Sequence, residues 1–433
     1  MHNSDLFIAF KSQLEKLTSE GAVFKIALSG GLDSVVLLHL FSRLENRCIT
    51  AHHIDHGLSD NAHSWTQFCE KLCHSLSVPF VVTKVILDKK NRTSLEALAR
   101  EKRYVALKEG LTNKCYLVTA HHQDDQLETV LLALKRGAGL TGLQGIVAKQ
   151  SLSVGYLIRP LLNFSREQLE SYALQFKLTW IEDESNADQR FDRNFIRHTI
   201  TPLLKKRWPA IAKTVARSAS HCQSQMQLIN EITETDLQTC LSDKQQLKIE
   251  RLKVLTETRR NNVLRGWFKN AEFNYPSTKQ LTAIWADIAF AQTDAMPKIV
   301  LAEVIVCRYR GTLHFVDKNS LVAETKKVVW QGEKQLTLCT GELTLTFDVQ
   351  SEFIKELHHV EICFRNQFSS DLKCQPIGRD KSRSIKKLLH EHHVPPWFRD
   401  RVPFVFIDGL LLEAVGLWRC EIPYSTSFYT FII

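Results

Sequence analysis

The sequence of 433 residues predicts an α/β fold: an open parallel sheet with helices on both faces, followed by a helical domain and a small α+β domain. Three observations support this prediction. Apolar, β-branched runs alternate with helix-length segments through roughly the first 190 residues. From about residue 325 the pattern changes to alternation with glycine-based turns. The chain is also too long for a single compact core, so two or three domains are expected.

Strands and helices alternate along the first region. Strands are predicted over 23–28, 48–58, 78–87 and 114–122, and helices over 35–44, 59–76, 93–110 and 124–137. This alternation implies parallel strands joined by right-handed crossovers, with helices covering both faces of the sheet. Ligands of such sheets bind at the carboxyl ends of the strands.

Three of the predicted strand ends carry unusual polar sequences. They are SGGLDS at 29–34, HHIDHG at 52–57 and HHQDDQLET at 121–129. Because the carboxyl ends of parallel strands lie along one edge of a sheet, we expect these segments to converge on one crevice.

The remainder of the chain suggests two further domains. Residues 165–220 are helical and basic in pattern, and the polar helical stretch after them is a connector. The predicted domains are a catalytic domain at 1–220, a helical middle domain at 221–320 and a C-terminal domain at 321–433. In the last of these, Asp408-Gly409 predicts the turn of a hairpin.

The net charge of +9 is concentrated in two clusters. Residues 190–217 hold eight lysines and arginines against one acid, and residues 381–401 hold six against two. Aromatic residues are interleaved with both clusters. A solvated helix face explains either cluster alone, but together they favour contact with a nucleic acid.

The composition also bears on the compartment. No apolar run reaches the roughly 18 residues of a membrane span, and the N-terminal segment lacks the pattern of a secretory signal. The 11 cysteines are scattered and include no CxxC pair. We therefore expect a cytoplasmic protein with reduced thiols and no membrane partner.

The SGGLDS segment has the chemistry of an anion-binding turn. Gly30 and Gly31 allow the backbone to approach a ligand closely, and the first helical N–H groups favour an anion. Ser29 and Ser34 add hydroxyl donors. The carboxylate of Asp33 would repel a phosphate, so it is better suited to Mg²⁺ or to orienting a neighbour. Neither GxxxxGK[ST] nor GxGxxG is present.

In this strand-to-helix position, SGGLDS resembles the pyrophosphate-binding loop of the N-type ATP pyrophosphatases, the PP-loop superfamily. Five blocks narrow the resemblance to the tRNA(Ile)-lysidine synthetase family, and they occur at 51–58, 94–104, 119–143, 159–162 and 182–197. The tail IKKLLHEHHVPPWFRDRVPFVFIDG resembles the RNA-binding C-terminal domain of that family. The resemblance is faint between about 221 and 320.

The resemblance implies a specific reaction. ATP adenylates O2 of the wobble cytidine in the CAU anticodon of tRNA(Ile), releasing pyrophosphate. The amine of free L-lysine then attacks C2 and expels AMP. The product, lysidine, changes decoding from AUG to AUA and tRNA identity from methionine to isoleucine. ATP is thus a co-substrate, Mg²⁺ its companion ion, and tRNA(Ile) and lysine the partners.

Site residues follow from the loop, the helix after it and the basic clusters. Catalytic roles are predicted for Asp33, Asp125 and Glu128, of which the last two share a helix face. Mg²⁺ is predicted at Asp33 and Asp124. ATP is predicted to bind Ser29, Gly30, Gly31, Leu32, Asp33 and Ser34. The predicted tRNA contacts are Arg193, Asn194, Arg197, Lys386, Lys387, Arg399 and Arg401.

Other functions stay open at this point. A thiolation enzyme of the same superfamily would keep SGGxDS but would need cysteines near the crevice. A metal-dependent hydrolase could use His53, Asp55 and His56, which match the second half of an HxHxDH motif, although Ala51 stands where that motif needs its first histidine. The segment His121-His122 with Asp124-Asp125 could complete a dinuclear metal site. An amidotransferase of the superfamily would need an ammonia-generating domain with a cysteine nucleophile, and no such signature is visible. A purely RNA-binding protein explains the basic clusters but not the three polar strand ends. The sequence leaves a homodimer open.

Overall fold

The computed structural model forms two compact units, residues 1–230 and 231–433. The described residues are 4–45, 48–55, 57, 61–85, 95–184, 188–292, 297–318, 327–331, 333, 335–338, 343–349, 359–369, 371–421 and 429–432. Among them, no helix combines the length and apolarity that a membrane crossing requires. The predicted domain limits at 220 and 320 stay predictions.

A six-stranded sheet is the centre of the first unit. Its strands are β1 (Val23–Ala27), β2 (Cys48–Asp55), β3 (Phe80–Lys84), β4 (Cys115–Val118), β5 (Lys149–Ser151) and β6 (Tyr156–Ile158). In the order β3-β2-β1-β4-β6-β5, all neighbours are parallel except β5 and β6. The parallel sheet is confirmed. Strands β5 and β6 were not predicted, because three residues are too few to show a period.

Helices connect these strands and follow them. They are α1 (Ser4–Leu17), α2 (Leu32–Ser42), α3 (Ala62–Ser75), α4 (Leu95–Lys108), α5 (Gln123–Lys135), α6 (Leu140–Leu143), α7 (Arg166–Gln175), α8 (Asp192–Phe195), α9 (Thr201–Arg207) and α10 (Ile211–Cys240). A π-helical turn, Ile196–Ile200, joins α8 to α9. Helix α2 is apolar around most of its circumference, so it is buried against the sheet. This packing fixes the position of its first turn.

The strand order places the site. β1 has β2 on one side and β4 on the other, so the crossovers diverge and leave a crevice at the carboxyl ends of these strands. The N–H of Leu28 donates to the carbonyl of His52 at 3.0 Å, which ties the end of β1 to β2. The predicted convergence of the three polar strand ends is confirmed.

The second unit begins with helices that pack on an antiparallel sheet. The helices are α11 (Ile249–Lys253), α12 (Glu257–Asn270) and α13 (Thr278–Ala283), the last continued by a π-helical turn, Ile284–Ala289. The sheet has the order β7-β10-β9-β8, from β7 (Leu247–Lys248), β8 (Lys298–Val300), β9 (Val304–Tyr309) and β10 (Thr312–Asp317). The prediction of a helical middle domain is therefore incomplete, because it left out this sheet. Arg310 and Gly311, both at positive φ, form the hairpin turn between β9 and β10, and this dipeptide could have indicated the sheet.

The C-terminal part of this unit is rich in strands, as predicted. They are β11 (Val328–Val329), β12 (Gln335–Leu338), β13 (Leu343–Val349), β14 (Val360–Cys363), β15 (Lys373–Cys374), β16 (Arg383–Ser384), β17 (Phe404–Ile407), β18 (Leu410–Ala414), β19 (Trp418–Arg419) and β20 (Tyr429–Ile432), with helix α14 at Ile385–Glu391. The antiparallel sheets have the orders β11-β14-β17-β18-β19, β12-β13-β20 and β15-β16. The hairpin at Asp408-Gly409 is confirmed, with φ values of 47° and 82°.

Candidate active site

The glycine loop between β1 and α2 is held by one hydroxyl. Oγ of Ser34 accepts the N–H groups of Ser29 and Gly30 at 3.2 and 3.1 Å and donates to the carbonyl of Gly31 at 2.9 Å. Ser29 is exposed at the mouth of the loop, whereas the side chain of Leu32 is buried in the core. Leu32 can therefore offer a ligand only its backbone.

Gly30 is required by its conformation and by its neighbours. Its φ is +87°, and a Cβ built there would lie 2.6 Å from Cδ1 of Ile181. The N–H of Ile181 donates to the carbonyl of Gly30 at 2.9 Å, so the segment around Ile181 braces the loop from behind. Gly31 has ordinary φ, and its nearest atom to a built Cβ is 3.7 Å away.

Asp33 lies in the first turn of α2, beside the loop. Its Oδ1 is buried and has no hydrogen-bond partner within the described part of the chain. Its Oδ2 is 3.5 Å from Nε2 of His122. An unsatisfied buried carboxylate oxygen is costly, so this atom fits a site that a cation or a donor completes.

His122 connects the glycine loop with α5. Its Nδ1 accepts the N–H of Asp124 at 3.2 Å as part of the helix cap, which leaves the proton on Nε2. Nε2 lies 3.5 Å from both Asp33 and Asp125. Burial lowers the pKa of His122, but the carboxylates of Asp125, Asp33 and Asp124 together raise it above its ordinary value. The sequence analysis did not predict that His122 caps α5 and connects it with the glycine loop. The position of His122, directly before the acidic first turn of a helix, could have indicated the cap.

Asp125 and Glu128 share one face of α5, as predicted, and both are buried. Two arginines neutralise them. Nε of Arg193 donates to Glu128 and its Nη2 to Asp125, both at 2.7 Å. Nε of Arg197 donates to Glu128 at 2.7 Å, and its Nη2 contacts Glu128 and Asp125 at 3.0 and 3.2 Å. These two side chains, predicted to contact tRNA, are thus paired with predicted catalytic carboxylates in this structure.

The pairing in this cluster shifts the pKa values of Asp125, Arg193 and Arg197 in favour of their charged forms. Burial raises the pKa of Asp125, but the nearby His122 and Arg193 lower it by more. The pKa of this carboxyl therefore lies far below its usual range. Burial lowers the pKa of each guanidinium, while Asp125 and Glu128 raise both. Asp125, Arg193 and Arg197 therefore stay ionised at neutral pH, and together with Glu128 they form a compact network of two carboxylates and two guanidinium groups.

Asp124 faces other partners. Its Oδ2 accepts the N–H of Arg166 at 2.9 Å, and its carboxylate forms an ion pair with Lys205. Lys205 also contacts Glu167 at 2.6 Å. Asp124 thus anchors the starts of α5 and α7 and does not fit the predicted Mg²⁺ ligand. Asp33 does fit, because Mg²⁺ is usually held by one or two carboxylates together with phosphates and water.

The other histidines of the strand ends make structural contacts. His52 lies 2.9 Å from Thr83, and His53 Nδ1 lies 2.9 Å from the carbonyl of Leu28. His121 lies 2.9 Å from Thr119, and burial lowers its pKa to about 3. Within the described ranges, no group of three or more metal-ligating residues is found. His56, which the hydrolase alternative also uses, lies outside the described residues, and the engaged imidazoles of the other histidines weigh against that alternative.

Thiol chemistry near the crevice is also unsupported. Cys69 lies behind the glycine loop, but burial raises the pKa of its thiol to about 12 and that of Cys73 to about 11. Thiols with such values are mostly protonated and poor nucleophiles at neutral pH. Cys48 is exposed and Cys115 is half-buried beside Thr112. Thiolation is therefore the weaker of the two superfamily activities.

The remaining predicted tRNA contacts differ in exposure. Lys386 and Lys387 are exposed on α14, and Arg401 is half-buried. Arg399 is only 6% exposed and donates its Nε to the carbonyl of Val394 at 3.0 Å, which is a structural role. In the first unit, the amide of Asn194 donates to the carbonyl of Asp188 at 3.0 Å.

Two glutamines, Gln126 and Gln223, hold the glycine-rich stretch 136–145. The Gln126 amide exchanges hydrogen bonds with the backbone of Ile146 at 2.6 and 3.1 Å. The Gln223 amide donates to the carbonyl of Gln144 at 2.7 Å. Gly145 has a φ of +61°, which favours glycine, and a methyl group there would also displace the Gln126 amide.

The class of protein follows from the fold and the glycine loop together. A PP-loop domain family matches residues 6–204, which span the parallel sheet and end within α9. The first unit is therefore a PP-loop domain, the ATP-utilising class that the SGGLDS segment resembles. ATP fits the loop as co-substrate.

The rest of the chain identifies the family. A TilS substrate binding domain matches residues 247–314, and a TilS substrate C-terminal domain matches 360–426. The tRNA(Ile)-lysidine synthase of Haemophilus influenzae (strain PittEE) is 39% identical over 96% of this chain and 99% of its own. That of Coxiella burnetii is 37% identical over 92% and 89%, and that of Edwardsiella ictaluri 40% over 91% and 90%. The chain belongs to the tRNA(Ile)-lysidine synthase family, and the predicted ligase class is confirmed.

Proposed function

We propose that this enzyme ligates free L-lysine to C2 of the wobble cytidine in the CAU anticodon of tRNA(Ile). One observation carries the proposal: Asp33 of the glycine loop and Asp125 of α5 both lie 3.5 Å from Nε2 of His122. The loop that suits ATP thus adjoins the carboxylates that suit an ammonium group. The ATP site and the lysine site therefore lie side by side, so the adenylation step and the lysine step can use one crevice.

The first half of the reaction is adenylation. O2 of the cytidine attacks the α-phosphorus of ATP, and the bond to the β-phosphate breaks to release pyrophosphate. The N–H groups and hydroxyls of residues 29–34 suit the charge that develops on this leaving group. Mg²⁺, when bound with ATP, neutralises phosphate charge, and Asp33 is the residue that would hold it. This step leaves C2 activated by a good leaving group, AMP.

The second half is attack by lysine. Its ε-amine has a reference pKa of about 10.4, so it arrives as an ammonium ion and must lose a proton. Asp125 and Glu128 have the charge to hold this ammonium and accept its proton. The free amine then forms the C2–N bond, and the C2–O bond breaks to expel AMP. Lysidine replaces cytidine, which changes decoding from AUG to AUA and identity from methionine to isoleucine.

The substrate must also be selected among tRNAs that share CAU, including those for methionine. The anticodon alone cannot distinguish them, so the body of the tRNA must be recognised as well. We assign this contact to the C-terminal basic cluster, including Lys386, Lys387 and Arg401, through phosphates and shape. Arg193, Asn194 and Arg197 are assigned to the anticodon end. We expect the enzyme to act in the cytoplasm, and a homodimer is compatible with this assignment.

The test is a reconstituted reaction. Full-length protein is incubated with ATP, labelled lysine and a tRNA(Ile) transcript bearing CAU, and AMP and labelled RNA are measured. Equal molar amounts of AMP and incorporated lysine are expected. A methionine tRNA transcript with the same anticodon is the control and should incorporate little. AMP release without lysine incorporation would overturn the proposal and favour another modification of the adenylated base.

A further inference from the structure

The carboxylates assigned to lysine, Asp125 and Glu128, accept hydrogen bonds at every oxygen in this structure. Oε2 of Glu128 receives Nε of Arg193, and Oε1 receives Nε of Arg197, both at 2.7 Å. Oδ1 of Asp125 receives an Nη2 from each arginine at 2.7 and 3.2 Å. Oδ2 of Asp125 accepts the N–H of His122 at 3.0 Å. Each oxygen of the pair is therefore engaged.

We propose that Arg193 and Arg197 hold the lysine site closed until RNA binding draws them away. The inference rests on the proposed function, because it concerns the same two carboxylates. In this arrangement the arginines occupy the position of the lysine ammonium, and they exchange carboxylate partners for phosphate oxygens of the tRNA. The sequence-based assignment of these arginines to RNA and their observed pairing then describe two states of one element.

Competition between cations is the first step of the argument. The Glu128 side chain is 1% exposed, so no solvent-facing oxygen is left for another ligand. A third cation at this position would also meet two guanidinium groups of its own charge. Lysine can therefore bind both carboxylates only after at least one arginine has left.

The element that carries the arginines is suited to movement. It consists of the four-residue helix α8 and the π-helical turn Ile196–Ile200, and both are short. Phe191 and Phe195 are 44% and 43% exposed, so its outer side lacks apolar packing. Lys135 and Asp192 add an ion pair at 2.5 Å, but both side chains are more than half exposed. The buried anchors of the element are thus the arginine contacts and the side chain of Ile196, which is 8% exposed.

A polyanion is the partner that this chemistry favours. Guanidinium groups bind phosphate oxygens with the same forked geometry that they use with carboxylates. The exposed Phe191 and Phe195 flank the arginines, and aromatic rings beside cations are suited to unstacked bases of a single-stranded loop. The anticodon loop supplies both phosphates and such bases. Its binding would therefore release Asp125 and Glu128 where the reacting cytidine arrives.

The test measures lysine affinity with and without RNA in the full-length protein. Equilibrium dialysis with radiolabelled lysine is performed with α,β-methylene-ATP, which cannot release pyrophosphate, so no turnover occurs. Adding the tRNA(Ile) transcript should tighten lysine binding at least tenfold. Equal affinity in the two conditions would overturn the proposal, as would the absence of lysine binding in both. This comparison needs no variant.

Variants then locate the effect. Arg193→Gln and Arg197→Gln should each tighten lysine binding in the absence of RNA and reduce the tRNA-dependent gain. Arg190→Gln is the matched control, because Arg190 pairs with Asp188 and contacts neither carboxylate. It should leave the RNA-free affinity within twofold of wild type. If the two active-site variants bind lysine more weakly without RNA, the arginines build the site and the proposal is wrong.

Failure of this inference can be told apart from failure of the proposed function. A protein that incorporates lysine into tRNA(Ile) but binds lysine equally well with and without RNA keeps the function and refutes the closed state. A protein that binds labelled lysine only with RNA yet forms no lysidine from ATP supports the closed state and refutes the reaction. The reconstituted reaction and the dialysis experiment therefore report on separate statements.

Discussion

Oγ of Ser34 accepts the backbone N–H of Gly30 at 3.1 Å, so a side chain of α2 holds the turn that precedes it. The same oxygen donates to the carbonyl of Gly31. The loop is therefore organised before any ligand arrives, and its donors do not need to be ordered at the cost of binding free energy. A serine at this position has a structural role as well as its potential contact with ATP.

We expect Ser34→Ala to reduce both stability and ATP binding. Two N–H groups lose their acceptor, and a buried unsatisfied donor costs about 1–3 kcal/mol. The free energy of unfolding in urea should fall by that order, and the ATP concentration needed for half-maximal rate should rise at least tenfold. Ser42→Ala, which removes a hydroxyl bonded to the His39 carbonyl on the same helix, should leave ATP binding unchanged. Similar ATP binding by Ser34→Ala and wild type would contradict the role of Ser34.

The two glycines of the loop should respond differently to alanine. Gly31→Ala should fold normally, because its φ of −74° is ordinary and no atom lies within 3.4 Å of the new Cβ. Its methyl group would still obstruct phosphate approach, so ATP binding should weaken at least tenfold. Gly30→Ala should itself be destabilised by at least about 1–2 kcal/mol, from positive φ and the collision with Ile181.

Gly21→Ala separates the two causes in Gly30. Its φ is +71°, but no atom lies within 4 Å of its Cβ, so it carries the backbone cost alone. Thermal unfolding of the three variants and ATP titration of each are the measurements. A Gly31→Ala protein that binds ATP as wild type does would show that the phosphates do not approach this side of the loop.

The fold of the first unit was predictable because its signals are local. Strand-length apolar runs and helix-length segments alternate in order, and SGGLDS marks the turn between the first pair. The short strands β5 and β6 were missed because three residues are too few to show a period. The sheet of β7 to β10 was missed because the helical pattern before it was extended too far, past the Arg310-Gly311 turn.

The candidate site was only partly predictable for a related reason. Helical spacing placed Asp125 and Glu128 on one face, which needs four residues of sequence. Their pairing with Arg193 and Arg197 joins residues more than 60 positions apart, and no local pattern contains it. The contacts of Asp124 and Arg399 were not predicted for the same reason. Their partners, Lys205 and the Val394 carbonyl, are determined by packing and not by spacing.

Glu128→Gln should separate the two halves of the proposed reaction. The change removes the charge that would hold the lysine ammonium and accept its proton, and general base catalysis typically contributes about 10²–10⁴-fold. Lysine incorporation should fall at least 100-fold, whereas pyrophosphate release in a single turnover with tRNA should change only a few-fold. Glu170→Gln, an exposed acid of α7, is the control. Equal loss of both steps would indicate that Glu128 serves the structure instead.

The stability of the first unit should fall with pH below about 6.5, and His52 is one of the buried histidines responsible. Burial, with Lys25 and His53, lowers the pKa of His52 to about 4, whereas its unfolded value is near 6.5. Between these values the unfolded state binds more protons, so stability is complete above pH 6.5 and declines toward pH 4, by at most about 1.4 kcal/mol per unit. His52→Gln should decrease this slope in urea unfolding at pH 5–7.5. An unchanged slope would assign the acid sensitivity to other groups.

The lysines of α14 should contribute to tRNA binding through charge alone. Lys386 and Lys387 are exposed, and each phosphate that a lysine neutralises adds about 0.7–0.9 to the slope of log affinity against log salt. Lys386→Ala with Lys387→Ala should therefore weaken tRNA binding and lower that slope by about 1–2, without changing ATP binding. The matched control is Lys11→Ala with Lys16→Ala on α1, which removes the same charge from exposed positions in the first unit. If the two double variants lower the slope equally, the effect is one of net charge, and α14 does not contact the tRNA.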